Sequence, residues 1–305
     1  MKVLSGDYRA WQPRTEPAAV TIGVYDGVHL GHQRVLETLR DTGLPVVVVT
    51  FRDHPIRVIA PSSAPPLLTT TEQRLELFES CGVDTVALLE FDDELRRLSA
   101  EDFVEKIVVA ILRARRVAIG RGFHFGYDQL GDVALLRRMG DRFGFSVDDI
   151  EILEAGVPVR STVIRALLEA GDVAAADRML GRPFRLEGEV VPGDRRGRTI
   201  GFPTANLAPD PEVIVPGSGV YAVHTRFDGV EHDGVVNVGK RPTFGGTASV
   251  VEAHVLDFSG DLYEKVIAVD FIERLRAERK FDGVDDLVVA IRADIVRARE
   301  ILEGT

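Results

Sequence analysis

The 305 residues are 45% hydrophobic and 28% charged, which is the composition of a globular protein with room for about two domains. The net charge of −11 argues against sequence-independent nucleic-acid binding, because such binding depends on a basic surface. The only cysteine, Cys81, excludes an internal disulfide and a zinc site made of several cysteines, and its apolar neighbours favour an unreactive core thiol.

The first residues, MKVLSGDYRAW, contain no apolar stretch of the kind that secretory signals carry. The apolar runs elsewhere are short, such as the valines at 46–49, whereas a membrane-spanning helix needs ~20 apolar residues. We therefore expect a cytoplasmic protein that binds neither membranes nor nucleic acids.

Up to about residue 180, short apolar runs alternate with segments of helical periodicity. The β-branched run at 45–51 is typical of a strand buried on both faces, and the apolar spacing over 100–114 is that of a helix. This alternation predicts an α/β domain with a parallel sheet covered by helices on both faces. The predicted strands are 20–23, 45–51, 84–90 and 116–120, and the predicted helices are 31–40, 71–81 (with Thr71 as N-cap), 100–114 and 132–143.

From about residue 182, strands predominate and are separated by glycine and proline, which is typical of an antiparallel barrel or sandwich. A helix is predicted at 284–302, with Asp285 and Asp286 in its first turn, as the helix dipole favours. The change in periodicity predicts two domains, residues 1–181 and 182–305. The predicted strands are 185–191, 219–226, 234–238, 250–258 and 265–274.

The segment Thr21–His32, TIGVYDGVHLGH, predicts a phosphate site. A strand ends at Gly23, a glycine-rich turn follows, and a helix begins near Gly31, so backbone N–H groups at the helix start suit phosphate oxygens. His29 and His32 add two imidazoles that can stabilise charge on a phosphoryl group. The alternatives are a histidine that only caps or packs, and a zinc site, for which no third ligand is apparent.

A second segment, Arg160–Leu168, reads RSTVIRALL. Ser161 and Thr162 are good helix N-caps, and Arg165 follows one turn later. Capping alone explains the first two residues. A phosphate bound at the helix start, with Arg165 reaching it, is the functional interpretation.

The pair H-x-G-H and S-T-x-I-R resembles the signature of the Rossmann-like nucleotidylyltransferases. The fuller strings GVYDGVHLGH, TFRDHP, FHFG and GD resemble the adenylyltransferase module of bacterial bifunctional riboflavin kinase/FAD synthetases. The resemblance implies that FMN phosphate attacks the α-phosphate of ATP, which yields FAD and pyrophosphate. The implied catalytic residues are His29, His32 and Arg165, and the implied binding residues are Gly23, Asp26, Gly31, Thr50, His54, Phe125, Ser161 and Thr162.

Two positions depart from that family. Gly122 stands where the family usually has Asn or Asp, and Arg160 stands where it often has Ser. Gly122 removes a side chain that could position nucleotide or metal, whereas Arg121 and Arg160 add positive charge. These departures leave open a kinase whose N-terminal domain only binds nucleotide or flavin, or has altered specificity.

The segment Gly193–Asn206, GDRRGRTIGFPTAN, joins a basic loop to a strand-like stretch. Gly197 lets the backbone approach a phosphate, and the arginines, including Arg198, supply positive charge within an acidic chain. Thr204 and Asn206 offer the hard oxygen ligands that suit Mg²⁺. A polar hairpin loop explains the arginines but not GFPTAN as a unit.

GFPTAN resembles the signature of riboflavin kinase, and the resemblance continues in order through GVYAV, NVGKRPTFGG, VEAHVLDF, GDLY and LRAERKF. It implies a six-stranded antiparallel β-barrel with a C-terminal helix. It also implies that Thr204 and Asn206 contact Mg²⁺ and ATP and that Glu252 is the general base, with His254 as the alternative base. The implied binding residues are Gly193, Gly197, Arg198, Arg276 and Phe281, the last two on the flavin side, where ordinary helix-end roles are the alternative.

The sequence therefore predicts an enzyme that phosphorylates riboflavin to FMN and then adenylylates FMN to FAD. ATP is the co-substrate, Mg²⁺ the expected cofactor, and riboflavin, FMN and ATP the expected partners. A riboflavin kinase with a non-catalytic N-terminal domain, and a nucleotidyltransferase for another phosphorylated acceptor, are the competing hypotheses. The sequence does not indicate an oligomeric state.

Overall fold

A computed structural model describes residues 1–151, 153–154, 157–193, 197, 200–243 and 246–304. The chain divides into two compact units. The first consists of Met1–Pro65 and Thr69–Arg160, and the second of Pro66–Leu68 and Ser161–Thr305. The functional boundary between residues 181 and 182 stays a prediction.

The first unit is built on short strands with helices between them, as the alternating pattern predicted. Its strands are β1 (Lys2–Leu4), β2 (Ala18–Ile22), β3 (Val46–Phe51), β4 (Thr85–Leu89), β5 (Ala114–Gly120) and β6 (Ser146–Ile150), followed by the short pair β7 (Leu153–Glu154) and β8 (Val157–Pro158). Its helices are α1 (Leu30–Arg40), α2 (Pro55–Ile59), α3 (Thr71–Ser80), α4 (Asp93–Arg96), α5 (Ala100–Phe103, continued as a π-helix over Val104–Ile111) and α6 (Val133–Phe143), with 3-10 turns at Tyr8–Ala10, Pro61–Ser63 and Tyr127–Gln129.

The six strands of the main sheet are all parallel and lie in the order β1-β4-β3-β2-β5-β6. Every residue of β2 is buried, as expected for a central strand covered on both faces. The predicted α/β class is confirmed. Because β2 pairs with β3 on one side and β5 on the other, the loop after β2 leaves the sheet where the strand order reverses. Ligands of open parallel sheets bind at such a switch point.

Helix α3 begins with a capping box. The Thr70 hydroxyl accepts the N–H of Gln73 and the Gln73 side chain accepts the N–H of Thr70. The N-cap is therefore Thr70, and the prediction of Thr71 was wrong by one residue. The buried Arg74 of the same helix donates to the carbonyls of Val24 and Phe51, at 2.9 and 2.7 Å. The helix start thus holds the loops that follow β2 and β3.

The second unit contains a closed antiparallel barrel in the order β10-β13-β12-β11-β14-β9, which confirms the predicted six-stranded barrel. Three aromatic side chains fill its interior. The ring centroids of Tyr221 and Phe184 lie 5.3 and 6.2 Å from the ring centroid of Phe271. Its elements are α7 (Ser161–Ala170), α8 (Val173–Leu180), β9 (Phe184–Val191), β10 (Ala205–Pro209), β11 (Gly219–Phe227), β12 (Val230–Thr243), β13 (Gly246–Val255), β14 (Val266–Arg276) and α9 (Val284–Leu302).

Helix α9 covers part of the outer barrel surface. Val220 and Val235 form a cluster with Ala298 and Leu302 of this helix. Tyr221, which follows Val220 on β11, faces the interior, so the even-numbered positions of β11 face outward. The helix is the predicted one, with Asp285 and Asp286 in its first turn.

Cys81 ends α3 as its C-cap and is partly buried against the core beneath that helix. Among the helices that the structure describes, none is long and apolar enough to cross a membrane.

Replacing Thr70 with Ala tests the capping box. We expect Thr70→Ala to lower the stability of the first unit by about 1 kcal/mol, because the Gln73 N–H loses its acceptor. The measurement is urea unfolding followed by circular dichroism. Thr38→Ala is the matched control: Thr38 is half-buried within α1, its hydroxyl donates to the Arg34 carbonyl of the same helix and caps nothing, and Ala has the higher helix propensity. Equal midpoints for the two variants would contradict the capping assignment.

Candidate active sites

The turn between β2 and α1 is held by side-chain hydrogen bonds to Thr69. The buried Asp26 carboxylate accepts the Thr69 N–H at 3.2 Å, and the Gly27 N–H donates to the Thr69 hydroxyl at 3.1 Å. Two residues of the turn without glycine's freedom, Tyr25 and Val28, have left-handed backbones, with φ of 58° and 38°. The turn therefore has one defined conformation, in which Asp26 acts as an internal anchor.

The two histidines predicted to act on phosphate lie side by side at the start of α1. Their ring centroids are 3.6 Å apart and the ring planes differ by 13°. His29 is the N-cap: its Nδ1 accepts the backbone N–H of His32 at 3.3 Å. An accepting Nδ1 puts the proton of a neutral His29 on Nε2, which makes Nε2–H a hydrogen-bond donor. Gly31 packs directly against this ring, since a Cβ there would lie 3.2 Å from His29 Nδ1.

Two further predicted binding residues have structural contacts inside this turn. A Cβ on Gly23 would lie 2.9 Å from Cε2 of Tyr25, so the glycine leaves room for that ring. The buried Thr50 hydroxyl donates to the Val24 carbonyl at 3.0 Å and so joins β3 to the turn. Both residues shape the turn, and their contact with a ligand stays a prediction.

His54 and Phe125 also have defined local roles. His54 caps α2 by accepting the N–H of Ile56 on Nδ1 at 3.2 Å. Phe125 is buried, and its ring stacks parallel to that of Phe123 at 5.7 Å. Whether either contacts flavin stays a prediction.

The structure gives a physical reason for the departure at Gly122. Its φ of +76° lies in the left-handed region, which Gly, Asn and Asp adopt more readily than other residues. The glycine thus preserves the backbone that an Asn or Asp would take. The adjacent Arg121 donates to Glu151 at 2.7 Å, so its charge is neutralised by an ion pair.

The second predicted phosphate motif opens helix α7. The helix begins at Ser161, which places Ser161 and Thr162 in its first turn. Arg165 is buried, and its Nε donates to the Pro66 carbonyl at 2.6 Å. These residues belong to the second unit, and their role in phosphate binding stays a prediction.

Strand register in the barrel brings the two predicted residues Asn206 and Glu252 next to Asn237, which was not predicted. Glu252 on β13 pairs with Asn206 on β10 and with Asn237 on β12. Directly opposite residues have Cβ atoms roughly 5 Å apart on the same face. Asn206, Glu252 and Asn237, here called the polar row, are all half-buried and lie on the outward face. Asn237 is a polar residue among valines on its strand, and that is the signal that could have identified it.

Both predicted glycines of the basic loop lie against the predicted metal ligands. A Cβ on Gly193 would be 2.1 Å from Nδ2 of Asn206. One on Gly197 would be 2.3 Å from the Phe202 carbonyl oxygen and 3.5 Å from the Thr204 hydroxyl. Only glycine, which has no side chain, lets the backbone approach Asn206 and Phe202 this closely at the two positions. Arg198 lies outside the described residues.

A cavity of about 540 Å³ opens on the inner side of the same strands. Ala205 and Ala253 form part of its apolar wall, and Thr204 lies at its edge two residues before Asn206. The remaining lining residues are Val190, Pro203, Val255 and 258–263. The volume is in the range of small-molecule sites.

His254, the alternative base, is engaged with the GFPTAN segment. Its Nδ1 donates to the Pro203 carbonyl at 2.8 Å, and its ring meets that of Phe202 edge-on at 5.8 Å. A ring nitrogen that donates to a carbonyl cannot accept a proton there. The contact gives His254 a structural role beside Glu252 and leaves only Nε2 able to accept a proton, so its role as the alternative base stays a prediction.

The two predicted flavin-side residues lie near each other. The Arg276 guanidinium carbon is 5.5 Å from the centroid of the Phe281 ring. Arg276 also makes a two-pronged ion pair with Asp294 of α9, with Nη2 to Oδ2 at 2.8 Å. Asp294 is buried, so this pair fixes the guanidinium beside the aromatic ring. Asp294 was not among the functional residues predicted from the sequence.

Comparison with known proteins identifies a family for each half of the chain. Residues 11–163 match the family model of FAD synthetase, and residues 180–302 match that of riboflavin kinase. A bifunctional riboflavin kinase/FMN adenylyltransferase of Escherichia coli (strain K12) is 38% identical over 98% of this chain and 97% of its own. The protein of that name from Bacillus subtilis is 33% identical over 91% of this chain and 90% of its own.

A crystal structure from Streptococcus pneumoniae, described as a macrolide-efflux protein, has a similar fold. Its TM-score is 0.89 at 29% identity, and the match covers 98% of this chain and 99% of that one. Both family models match in the same order as the two units of the structure. The chain belongs to the family of bifunctional riboflavin kinase/FMN adenylyltransferases.

Proposed function

We propose that this chain makes both flavin cofactors: it phosphorylates riboflavin to FMN and then adenylylates FMN to FAD. The observation that carries the proposal is the match of both family models, at 11–163 and 180–302, on one chain. Bifunctional relatives match it over nearly their whole length. ATP is the co-substrate of both steps, and we propose that they take place in the cytoplasm.

In the kinase reaction, the 5′-hydroxyl oxygen of riboflavin attacks the γ-phosphate of ATP, and ADP leaves. Glu252 is the proposed general base that accepts the hydroxyl proton. Its place between Asn206 and Asn237 in the polar row supports this role, because the amides can orient both the carboxylate and the hydroxyl. Phosphoryl transfer otherwise needs positioning and charge neutralisation.

The residues around Asn206 fit a magnesium ion bound with ATP. Thr204 and Asn206 provide hard oxygen ligands, and the close passage of Gly193 and Gly197 leaves backbone rather than side chains around them. When bound, Mg²⁺ neutralises charge on the β- and γ-phosphates. We propose that the adjacent cavity holds the adenine ring, since its wall is apolar and its edge is Thr204.

The flavin ring is proposed to lie toward Arg276 and Phe281. Arg276 on β14 pairs with Val220 on β11. Val220 pairs in turn with Asn237 of the polar row, on β12. Three strand spacings therefore separate Glu252 from Arg276, which is an arc of about 14 Å along the surface of the closed barrel. The ion pair of Arg276 with the buried Asp294, which fixes the guanidinium beside the Phe281 ring, supports this flavin position.

In the adenylyl transfer, an FMN phosphate oxygen attacks the α-phosphorus of ATP, and pyrophosphate leaves. The proposed role of His29 and His32 is to donate hydrogen bonds to the charge that develops on the phosphoryl oxygens. The donating Nε2–H of His29 and the ring stack support this role. Ser161, Thr162 and Arg165, which form the S-T-x-I-R motif, are proposed to contact the phosphates.

A kinase with an inactive N-terminal domain is not favoured. One of the two departures that motivated it has a local explanation: Gly122 keeps the left-handed backbone, and the adjacent Arg121 is paired with Glu151. The other departure, Arg160, is exposed, and nothing in the structure explains it. The relatives that match both halves carry bifunctional names.

Single substitutions should separate the two activities. We expect His29→Ala to lower FAD formation from supplied FMN by on the order of 100-fold, because a preorganised donor is lost. Glu252→Gln should lower FMN formation from riboflavin by a similar order. Each variant should keep the other rate within about twofold. The measurement is chromatography of flavin products. Loss of both reactions from either substitution, in a folded chain, would contradict two separate sites.

Gly193→Ala tests the nucleotide site of the barrel. The new Cβ would meet Asn206 Nδ2 at 2.1 Å and displace the amide. We expect kinase turnover to fall by on the order of 100-fold, with a raised requirement for Mg²⁺, because small misplacements of positioning groups cost this much. Steady-state kinetics at varied Mg²⁺ is the measurement.

Gly283→Ala is the control for Gly193→Ala, since nothing lies within 4 Å of its Cβ position. It should leave kinase kinetics unchanged. An unchanged Mg²⁺ dependence in Gly193→Ala would show that Asn206 does not hold the metal.

A further inference from the structure

Three aromatic side chains form a continuous stack at the start of α1. The ring of His32 lies between that of His29, at 3.6 Å, and that of Tyr25, at 4.6 Å. The Tyr25 and His32 planes are tilted by 41°. Both ends of the stack are buried, with exposed fractions of 3% for Tyr25 and 5% for His29.

The phenol of Tyr25 is anchored at its far end. The Thr21 hydroxyl donates to the Ala118 carbonyl at 2.6 Å, because a carbonyl can only accept. The single Thr21 proton is thereby used, so the Tyr25 hydroxyl is the donor in its 2.5 Å hydrogen bond to Thr21. Burial raises the pKa of Tyr25, which keeps the phenol neutral and able to donate. The anchor joins the ring to the neighbouring strands β2 and β5.

The backbone conformation of Tyr25 and the residues around it restrict the position of the ring. Its φ of 58° turns the side chain back over Gly23, where any Cβ would lie 2.9 Å from the ring. On another side, the edge of Phe78 meets the ring at 5.4 Å and 72°. The left-handed conformation raises the free energy of the folded state for an aromatic residue, and here it places the Tyr25 ring against His32.

We propose that Tyr25 is a positioning residue for adenylyl transfer. Its anchored ring fixes the imidazole of His32 and, through the stack, that of His29, in the orientation that meets the phosphoryl group. This inference rests on the proposed FMN adenylyltransferase function. Preorganised donors act on the transition state, so the effect falls on kcat rather than on substrate KM.

The ring and the hydroxyl contribute separately, and variants can distinguish them. Tyr25→Leu removes the ring that supports His32. Tyr25→Phe keeps the ring but removes the donor, and Thr21→Val removes the acceptor with little change of shape. The last two both break the Tyr25–Thr21 hydrogen bond, and Thr21→Val also removes the bond to the Ala118 carbonyl, so the double variant should lose no more than Thr21→Val alone.

The experiment measures FAD formation from FMN and ATP in the full-length chain. We expect Tyr25→Leu to lower kcat by on the order of 100-fold, with KM for ATP and FMN within about twofold. Tyr25→Phe and Thr21→Val should each lower kcat by about fivefold, and the double variant by about the same factor. Riboflavin phosphorylation by the same samples should not change.

Leu136→Ala is the control for loss of core packing. Leu136 is fully buried in the same unit, in the cluster on the other side of the sheet. It should lower thermal stability and leave kcat unchanged. If Tyr25→Leu fails to fold, the near-isosteric pair of Tyr25→Phe and Thr21→Val still tests the anchor.

Unchanged kcat in Tyr25→Leu would overturn the inference, and so would losses that multiply in the double variant. A loss confined to KM would also overturn it. In each of these cases the wild-type chain makes FAD. A wild-type chain that makes none would instead contradict the proposed adenylyltransferase function on which the inference rests.

Discussion

In the second unit, the pairing of β13 with β10 on one side and β12 on the other sets the position of the proposed general base and of the two amides beside it. This register places Glu252 between Asn206 and Asn237. Because side chains alternate along a strand, a slip of one residue would turn Glu252 into the barrel interior and Ala253 outward. In the same register the buried Ala253 pairs with Ala205 and Val236 on the inner face, so core packing and the proposed active-site geometry depend on the same constraint.

Both sites rely on close approaches that small or anchored residues allow. In the barrel, Gly193 passes against the Asn206 amide. In the first unit, Asp26 and Thr50 hold the turn that presents His29, through hydrogen bonds to backbone groups. Rigid loops of this kind lower the reorganisation needed at the transition state. The two reactions thus share a physical strategy on two unrelated folds.

Much of this could be predicted from sequence, because the decisive patterns are local. The run at 45–51 and the 284–302 helix follow from periodicity, and the two motif regions follow from short contiguous strings. Asn237 and Asp294 were missed because their partners, Glu252 and Arg276, are brought near only by folding. The edge strands β1 and β6 were missed because one is short and exposed and the other is polar and half-buried. The support of His32 by Tyr25 depends on a left-handed φ that no periodicity reveals.

The central claim is that one chain carries both reactions, and a single time course tests it most directly. Purified protein is incubated with riboflavin, ATP and Mg²⁺, and flavins and pyrophosphate are measured together. The account predicts that FMN forms first and is then converted to FAD, with one pyrophosphate released for each FAD. FMN that accumulates without FAD or pyrophosphate, across all ATP and FMN concentrations, would contradict it.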